Sequence, residues 1–364
     1  MNTSSVTAAE PRTICVFLPN WVGDVAMATP ALRELRRRFP APARIVGVGK
    51  PHLFTVLEGT PWLDESIAYD RRSKDSALQA SAVIDQLRSF RTDTAILLAS
   101  SFTTAWVAWR SGARRRIGFA RNLRGWLLTD RVAEPGSFWN KTPWPTVDQY
   151  LALAVAAGCE SSHRTLEIAT TAKDEQAADR IWRDLRLVGR RVVCVNNHSA
   201  GATSRWWPEE RLFGLCHQLA EDPRNSILLL CGPKEQDKTA EWAQRLDHPR
   251  ITSLAGQDMA LGTLKAVLRR GELLVTTDSG PRHLAAALGT PVVALLGPID
   301  SRWTLNYHAD EIRLSEPVPC GPCGRKTCPL ADHPCMSRIA VEQVAQAAGR
   351  LLDKPRALTT LKGA

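Results

Sequence analysis

The 364-residue chain exceeds the size that one hydrophobic core usually supports, so its length predicts two domains. No stretch approaches the ~20 consecutive apolar residues that span a bilayer, and the polar beginning lacks the basic and apolar regions of a signal peptide, so we expect a cytoplasmic protein without a transmembrane segment. The net charge of +10 favours an anionic partner, which is either a nucleic acid, an anionic membrane surface or a phosphorylated substrate.

The first part of the chain alternates apolar strand patterns with amphipathic helices. Strands are predicted at 13–18, 43–49 and 92–101, and a helix follows each of the first two. Asp24 lies in the turn between the first strand and the first helix. A carboxylate at this position either caps the helix or takes part in chemistry at the edge of an open α/β sheet.

Two arginine-rich runs carry much of the excess positive charge. The run 33–38 is typical of a solvated helix face, whereas 110–124 contains glycine and aromatic residues that indicate a shaped loop. A helix is predicted at 147–157, and we place a domain linker near 170–190.

The α/β alternation begins again after this linker and is more regular than before. Helical patterns separate five apolar strand patterns, which lie at 190–197, 225–232, 251–256, 272–277 and 291–297. This order predicts a parallel sheet covered on both faces. We therefore expect an α/β protein with two Rossmann-like domains, residues 1–175 and 176–364, and a ligand cleft between their facing sheet edges.

The turn Asp278-Ser279-Gly280-Pro281 joins a buried strand to a helix. Pro281 suits a first helical position, and the unpaired N–H groups at the start of the helix favour an anion such as a phosphate. The same kind of turn is also a common helix cap. The sequence contains no glycine pattern of a dinucleotide site or a P-loop, and no GxSxG or HExxH motif.

The nine cysteines fall into two groups. Five are scattered, and those in apolar runs fit small buried side chains. The other four have the spacing C-x2-C-x4-C-x6-C in the loop 320–335: Cys320, Cys323, Cys328 and Cys335. Because crowded cysteines in a cytoplasmic protein favour a metal over disulfides, we predict a structural zinc ion here, with His333 as a substitute ligand. Four reduced thiols, a disulfide and an iron–sulfur cluster are the alternatives.

Five segments, spread over nearly the whole chain, together resemble one family. They read NWVGDVAMATPALRELRRRFP, RWWPEERL, GPKE, LAGQDMALGTL and TTDSGPRHLAAALGTPVVALLGPID. On these motifs the sequence resembles the bacterial lipopolysaccharide heptosyltransferases of glycosyltransferase family 9, and among them the heptosyltransferase II type. The resemblance implies the GT-B architecture, in which two Rossmann-like domains face each other across a cleft.

The resemblance also implies roles for individual positions in the cleft. Asp24 matches the family's general base, which accepts the proton of the attacking acceptor hydroxyl. Glu235, in Gly-Pro-Lys-Glu, corresponds to an acidic residue near the nucleotide ribose. The residues that match the family's D-(S/T)-G-x-x-H signature would hold the donor's diphosphate: Asp278, Ser279, Gly280 and His283.

Arg205 departs from the family pattern, because many members carry Lys before the xWP motif. A guanidinium group is expected to keep the phosphate contact while altering its geometry. In the first domain, four arginines resemble the basic loop that faces the anionic acceptor: Arg115, Arg116, Arg121 and Arg124.

The activity that the resemblance implies is inverting transfer of heptose from ADP-heptose to the lipopolysaccharide inner core. The acceptor would be Kdo–lipid A at the cytoplasmic face of the inner membrane, and the reaction would require no metal or other cofactor. We expect peripheral contact with the anionic membrane and no nucleic-acid partner. The alternatives are a family 9 enzyme with another nucleotide sugar or acceptor, and a non-catalytic protein that binds anionic lipid or nucleic acid.

Overall fold

The computed structural model describes residues 12–135, 142–160, 163–199, 201–258 and 260–354. Within these ranges the strands form two six-stranded sheets, and all neighbouring strands run parallel. This confirms the predicted α/β class, because parallel strands require helical crossovers between them.

The first unit contains the elements from β1 to α6. In chain order they are β1 (Thr13–Phe17), α1 (Val22–Met27), α2 (Thr29–Arg38), β2 (Arg44–Gly49), α3 (Pro51–Leu57), β3 (Glu65–Ala68), α4 (Ala80–Ser89), β4 (Thr94–Leu97), α5 (Phe102–Arg110), β5 (Arg115–Phe119), β6 (Asp130–Val132) and α6 (Thr146–Ala156). Its strand order is β3-β2-β1-β4-β5-β6, so β1 and β4 are neighbours near the middle of the sheet.

The second unit contains the elements from α7 to α13. In chain order they are α7 (Ala172–Asp184), β7 (Arg191–Asn196), α8 (Glu209–Ala220), β8 (Asn225–Leu229), α9 (Gln236–Leu246), β9 (Ile251–Ser253), α10 (Leu261–Arg270), β10 (Leu273–Thr277), α11 (Gly280–Ala287), β11 (Val292–Leu295), β12 (Glu311–Leu314), α12 (Pro334–Ser337) and α13 (Val341–Leu352). Its strand order is β12-β11-β10-β7-β8-β9.

The central strands are buried on both faces, which explains their continuous apolar sequences. In β1, Ile14 and Val16 belong to one hydrophobic core while Cys15 and Phe17 belong to another. Alternate residues of a strand point to opposite faces of the sheet, so each face of β1 is covered by its own packed layer.

Four strands are not predicted by the sequence patterns: β3, β5, β6 and β12. Of these, β3, β6 and β12 are edge strands, and each has partly exposed residues that interrupt an apolar run. The segment 115–119, which was predicted as part of a basic loop, is β5. Residues 164–169, RTLEIA, carry an apolar alternation that is typical of a strand, but they form none in the structure.

The domain division predicted between residues 175 and 176 falls inside α7. This helix begins with a capping box between Thr171 and Asp174, and it buries Ala177, Ala178 and Ile181. It packs on α10 of the second unit. We therefore propose that the division between the units lies before Thr171.

Direct contacts join the two units. The Lys265 ammonium group is fully buried and donates to the backbone carbonyls of Glu58, in the first unit, and Ala169. The Tyr307 hydroxyl donates to Asp148 on α6 at 2.5 Å. Helix α1 also packs on α11, so that the regions after the carboxyl ends of β1 and β10 meet.

Candidate functional site

The site lies where two strand-to-helix turns face each other. Helix α1 follows β1, helix α11 follows β10, and the two helices pack together. Ligands of open α/β sheets bind outside the carboxyl ends of the strands. The predicted cleft between facing sheet edges therefore corresponds to the junction of α1 and α11.

Two glycines allow the helices to approach closely. A Cβ atom at Gly23 would lie 2.8 Å from Cδ2 of His283, and one at Gly280 would lie 3.6 Å from Val22. Real Cβ atoms do not approach other heavy atoms to within 3.0 Å, so a side chain at position 23 would displace His283. The absence of a side chain at Gly23 thus brings Asp24, the next residue, close to α11.

Asp24 lies in the first turn of α1 and is half-buried. The pKa of Asp24 is raised to about 6, first by burial and then by the negative charge of Asp278, while Arg205 partly opposes the shift. A carboxylate with this pKa is mostly ionised at pH 7 and is a stronger proton acceptor than an ordinary aspartate. These properties fit the predicted role of Asp24 as a proton acceptor, which stays a prediction.

Tyr150, on α6, is a neighbour of Asp24 that no motif or pattern in the sequence identifies. The side chain is buried, and its pKa is raised well above the ordinary value by burial and by the charge of Asp24, against the influence of Arg121. Tyr150 therefore remains protonated, and its hydroxyl is available as a hydrogen-bond donor near the carboxylate.

The turn before α11 is held in place by side chains from two strands. Asn196 at the end of β7 donates to Oγ of Ser279 at 3.0 Å and also to Oγ1 of Thr276. Ser279 occupies the N-cap position of α11, and Pro281 follows within the first two helical positions. These contacts fix the amino-terminal end of α11, where unpaired N–H groups and the helix dipole favour an anion.

The Asp278 carboxylate and carbonyl are both engaged in hydrogen bonds within the protein. The carboxylate accepts from Nη1 of Arg282 at 2.7 Å, and the Asp278 carbonyl accepts from Nη1 of Arg205 at 2.8 Å. Burial alone would raise its pKa, but the adjacent Arg282 brings the pKa of Asp278 below its ordinary value. An ionised carboxylate repels a phosphate, so its placement fits a residue that positions the arginines.

Arg282 and Glu311 complete this network, and sequence reasoning missed both. Arg282 is fully buried and donates to Glu311 at 2.8 and 3.0 Å and to Thr304 at 2.9 Å. Arg282 holds the pKa of Glu311 below its ordinary value, although burial raises it. One cation thus serves two buried carboxylates, Asp278 and Glu311.

Several buried polar atoms around this turn have no hydrogen-bond partner among the described residues. They include Nε of Arg205, Nδ1 of His283 and Oγ1 of Thr277. Burial lowers the pKa of His283 to about 4, so its imidazole is neutral at pH 7. Buried polar groups without partners are costly unless a ligand supplies one, so these atoms fit a phosphate-bearing ligand.

Glu235 lies at the N-cap of α9, in the loop after β8. The Glu235 carboxylate packs against Gly232: a Cβ atom added at Gly232 would lie only 2.5 Å from Oε2 of Glu235. In the neighbouring loop after β7, the His198 ring stacks on Trp242 with their centroids 4.7 Å apart. Since β7 and β8 are adjacent and parallel, the loops that carry Glu235 and His198 both lie at the carboxyl ends of the strands of the second sheet.

The four arginines predicted to face the acceptor have different placements. Arg115 and Arg116 begin β5, at the edge of the first sheet opposite to the Asp24 turn. Arg115 pairs with Asp130, and Arg116 donates to the carbonyl of Leu127 at 2.6 Å. The predicted acceptor contact of Arg115 and Arg116 does not fit this placement, because parallel strands put their chemistry at the carboxyl ends.

Arg121 and Arg124 follow the carboxyl end of β5 and lie on the side of the cleft. Arg124 is fully buried and donates to the carbonyls of Phe119, Ala99 and Ser101, which fits a structural clamp and not a direct acceptor contact. Arg121 is half-buried, pairs with Glu134 at 3.1 Å and influences Tyr150. Arg121 is therefore linked electrostatically to Tyr150, the neighbour of Asp24.

The cysteine loop, residues 320–335, lies beside the turn that carries Arg205. Its four predicted metal ligands line one pocket: Cys320, Cys323, Cys328 and Cys335. Among the described residues, no three His, Cys, Asp or Glu side chains are placed to hold a metal ion. Ser204 donates to the Arg325 carbonyl at 2.6 Å, and the Ser204 carbonyl contacts Nε2 of His333 at 2.7 Å.

Comparison with known proteins identifies relatives over most of the chain. The model of glycosyltransferase family 9 (heptosyltransferase) matches residues 80–333. Lipopolysaccharide heptosyltransferase 2 of Escherichia coli K12 is 28% identical over 325 residues, covering 83% of this chain and 88% of that protein. Lipooligosaccharide heptosyltransferase 2 of Campylobacter jejuni is 24% identical over 349 residues, covering 93% and 98% respectively.

Solved structures match the arrangement of both units. The E. coli ADP-heptose lipopolysaccharide heptosyltransferase II gives a TM-score of 0.77 at 24% identity, over 93% of this chain and 98% of that chain. A family 9 glycosyltransferase from Veillonella parvula gives 0.78 at 26% identity, over 94% and 97%. These likenesses confirm the predicted GT-B architecture. Together with the family match over residues of both units, they show that this chain is an enzyme of glycosyltransferase family 9.

Proposed function

We propose that the chain is an inverting glycosyltransferase that moves heptose from ADP-heptose to the lipopolysaccharide inner core, as heptosyltransferase II does. The observation that carries the proposal is the packing of α1, which bears Asp24 with its raised pKa, against α11, whose amino-terminal end is suited to an anion. The names of the E. coli and C. jejuni relatives support heptose as the transferred sugar.

In the proposed reaction, an acceptor hydroxyl oxygen attacks the anomeric carbon of the donor sugar. The new carbon–oxygen bond forms as the bond to the diphosphate oxygen breaks, and the electron pair of the broken bond leaves with ADP. Attack from the face opposite to the diphosphate inverts the anomeric centre. The hydroxyl proton passes to the Asp24 carboxylate, whose raised pKa favours this transfer.

The donor's diphosphate gains negative charge as it leaves, so its site should supply donors. We assign this role to the N–H groups at the start of α11, to the Ser279 hydroxyl at its N-cap, to Arg205 and to the neutral His283. Glu235 accepts from the nucleotide ribose in this assignment. Asp278 acts indirectly, because its carboxylate and carbonyl hold Arg282 and Arg205.

The acceptor side of the site belongs to the first unit. Arg121 is assigned to the anionic groups of a Kdo-containing acceptor, because it follows β5 at the same sheet edge as Asp24. Tyr150 is assigned to orient the attacking hydroxyl, since its own hydroxyl stays protonated beside the base. Arg115, Arg116 and Arg124 have no part in direct acceptor binding in this proposal.

Loss of the diphosphate contacts should weaken nucleotide binding. Replacing Ser279 and His283 together by Ala is expected to reduce ADP affinity by roughly 1 to 3 kcal/mol, because charge-assisted hydrogen bonds are lost. Isothermal titration calorimetry of ADP measures this. The control carries Ser337→Ala and His217→Ala, which change the same residue types in α12 and α8 away from the turn. Equal ADP affinities in both double variants would place the nucleotide elsewhere.

A panel assay tests the function itself. Purified protein is incubated with ADP- and UDP-sugars, ADP-heptose included, and with Kdo–lipid acceptors that carry or lack the first heptose. A product heavier by one heptose on the heptose-bearing acceptor is the expected result. Transfer of another sugar would show that the enzyme uses a different donor, and no transfer of heptose to either acceptor would contradict the proposed activity.

We propose that the enzyme works at the cytoplasmic face of the inner membrane as a peripheral protein. None of the described helices is long and apolar enough to cross a bilayer. The net charge of +10 favours attraction to anionic lipid headgroups, and an acceptor of the proposed kind is itself anchored in the membrane.

The cysteine loop is proposed to hold a structural zinc ion that takes no part in the reaction. The supporting observation is the shared pocket that all four cysteines line. Binding requires the exposed Cys320 and Cys323 to move towards Cys335, since the thiols do not converge in this structure. Such a site would secure the loop against Ser204.

Metal analysis of freshly purified, chelator-washed protein checks this proposal. We expect about one zinc ion per chain, and its removal under stronger chelation should lower the Tm before it lowers turnover, because bound metal stabilises the folded state. The variant with Cys320→Ser and Cys323→Ser should lack the metal. Protein without zinc or iron, whose four loop thiols all titrate in the folded state, would contradict the proposal.

A further inference from the structure

Helix α5 exposes aromatic side chains on its solvent face. Its inner face buries Thr104, Ala105 and Ala108, whereas Phe102 and Trp109, seven residues apart, are 43% and 44% exposed. Residues at this spacing lie on the same side of a helix. The outer face of a surface helix is normally polar, so this arrangement indicates a partner for α5.

The loop after β5 extends the same surface. Trp126 is 64% exposed, and its ring centroid lies 6.3 Å from that of Phe102 and 6.4 Å from that of Trp109. Leu123 is 88% exposed and follows Asn122, whose side chain donates to the carbonyl of Ser100. We call Phe102, Trp109, Leu123 and Trp126 the aromatic patch.

The protein holds this loop in a fixed conformation. Asn122 and Leu123 have φ values of 56° and 55°, a left-handed conformation that is unfavourable for a leucine. The fully buried Arg124 donates to the carbonyls of Phe119, Ala99 and Ser101 and so ties the loop to the ends of two strands. The exposure of Leu123 and Trp126 is therefore built into the fold and is not the result of a loose loop.

Positive charge borders the aromatic patch. Arg110 lies over the Trp109 ring with its guanidinium carbon 6.0 Å from the ring centroid, and Arg131 donates to the carbonyl of Gly125 beside Trp126. Both side chains are exposed, and no carboxylate among the described residues forms an ion pair with either of them. Exposed aromatic residues fringed by arginines suit the interface of a bilayer with anionic headgroups.

The aromatic patch lies on the same edge of the first sheet as the proposed base. Strands β1 and β4 pair side by side, with Phe17 opposite Leu97 at their carboxyl ends. Asp24 follows the end of β1, and Phe102 follows the end of β4. A membrane in contact with the patch would therefore lie beside the acceptor side of the cleft.

We propose that the aromatic patch is the surface by which this enzyme docks on an anionic lipid bilayer. The inference rests on the proposed function for the nature of the acceptor, but the patch and its charges are properties of the protein alone. The aromatic rings would enter the headgroup region, and Arg110 and Arg131 would contact lipid phosphates. Docking would present a lipid-anchored acceptor to Asp24 without a transmembrane helix.

Vesicle flotation of the full chain tests the proposal without any sugar substrate. Wild-type protein should float with vesicles of phosphatidylglycerol and phosphatidylethanolamine, and should bind phosphatidylcholine vesicles much less. The variant Trp109→Ser with Trp126→Ser should lose about tenfold or more in partitioning, since two interfacial anchors are removed. Val188→Ser, a change at a 69% exposed site before β7, is the matched control and should bind as wild type does.

Activity measurements separate failure of this proposal from failure of the proposed function. With a water-soluble acceptor fragment, the double tryptophan variant should keep wild-type turnover, whereas with acceptor in vesicles its apparent KM should rise. Unchanged Tm and near-ultraviolet circular dichroism exclude misfolding as the cause. Unchanged vesicle binding by the double variant would overturn the proposal. Failure of the wild-type protein to bind anionic vesicles would also overturn it. If the tryptophan substitutions then altered the oligomeric mass, the patch would be a protein interface.

Discussion

Replacing Asp24 by Asn is expected to lower turnover by about 10²- to 10⁴-fold while leaving ADP affinity within a few-fold. Asn keeps the shape of the side chain and removes its ability to accept a proton. The diphosphate site is formed mainly by α11 and the Arg205 turn, so the nucleotide should still bind. Steady-state turnover and calorimetric ADP binding measure the two effects separately.

Asp148→Asn provides a matched control for this substitution. Asp148 is also a carboxylate in the first turn of a helix, α6, but it pairs with Arg164 at 2.6 Å and accepts from Tyr307 at 2.5 Å. Its loss should alter stability more than turnover. If Asp24→Asn retained wild-type turnover, the assignment of Asp24 as the base would have to be abandoned.

The pH dependence of the reaction gives a second signature of Asp24. Only the ionised carboxylate accepts a proton, and burial raises its pKa to about 6. The value of kcat/KM should therefore rise with pH through about 6 and then level off. The residual activity of Asp24→Asn should lack this limb of the profile.

The same raised pKa predicts that Asp24→Asn, which lowers turnover, increases the folding stability of the protein. Because folded Asp24 binds its proton more tightly than unfolded Asp24, ionisation of this group opposes folding above about pH 6. Below about pH 4 the carboxyl group is protonated in both states and contributes no difference. Asp24→Asn should thus be more stable than wild type by about 1–2 kcal/mol at pH 7.5, and this gain should disappear near pH 4.

The sequence predicts the central strands of both sheets because these are buried on both faces and read as continuous apolar runs. It does not predict edge strands such as β3 and β12, whose exposed residues break the pattern. The polar sequence of α7 reads as a linker for a similar reason. Only three of its residues, Ala177, Ala178 and Ile181, form the buried apolar stripe on the side of α10.

Residues of the candidate site are predictable where a motif determines the local backbone. They are not predictable where packing between distant segments determines which residues meet. The resemblance indicates Asp24 and Ser279, but no hydropathy pattern reveals that α1 packs on α11. The charge run 110–124 does not reveal which of its arginines reach the cleft, since that depends on where β5 begins and ends. One feature of the sequence does indicate a buried ion pair for Arg282. It stands four residues after Asp278, in a helix of mostly small and apolar residues.

Replacing Arg282 by Met is expected to cost about 3–5 kcal/mol of folding free energy, the largest stability change that we expect from one substitution in the site. Met has a similar length and no charge, so Asp278 and Glu311 would be left as buried carboxylates without their shared cation. Thermal and urea unfolding measure the loss. Arg313→Met is the matched control, because Arg313 is 4.0 Å from the same Glu311 with a side chain that is 41% exposed, and exposed pairs contribute about 0–1 kcal/mol.

Acidification should reduce the difference in free energy of unfolding between Arg282→Met and wild type. In wild type the pKa values of Asp278 and Glu311 are below their ordinary values, so the stability from the network is present at neutral pH and is lost as pH falls through those lowered values. Without Arg282 the same burial raises both pKa values, and protonation then relieves the uncompensated charge.

The triple variant Asp278→Asn, Arg282→Met, Glu311→Gln should regain part of the lost stability at pH 7.5, since it buries no unpaired charge. A loss of stability for Arg282→Met no greater than that of Arg313→Met, or a stability difference from wild type independent of pH, would mean that the network does not contribute the stability inferred for it.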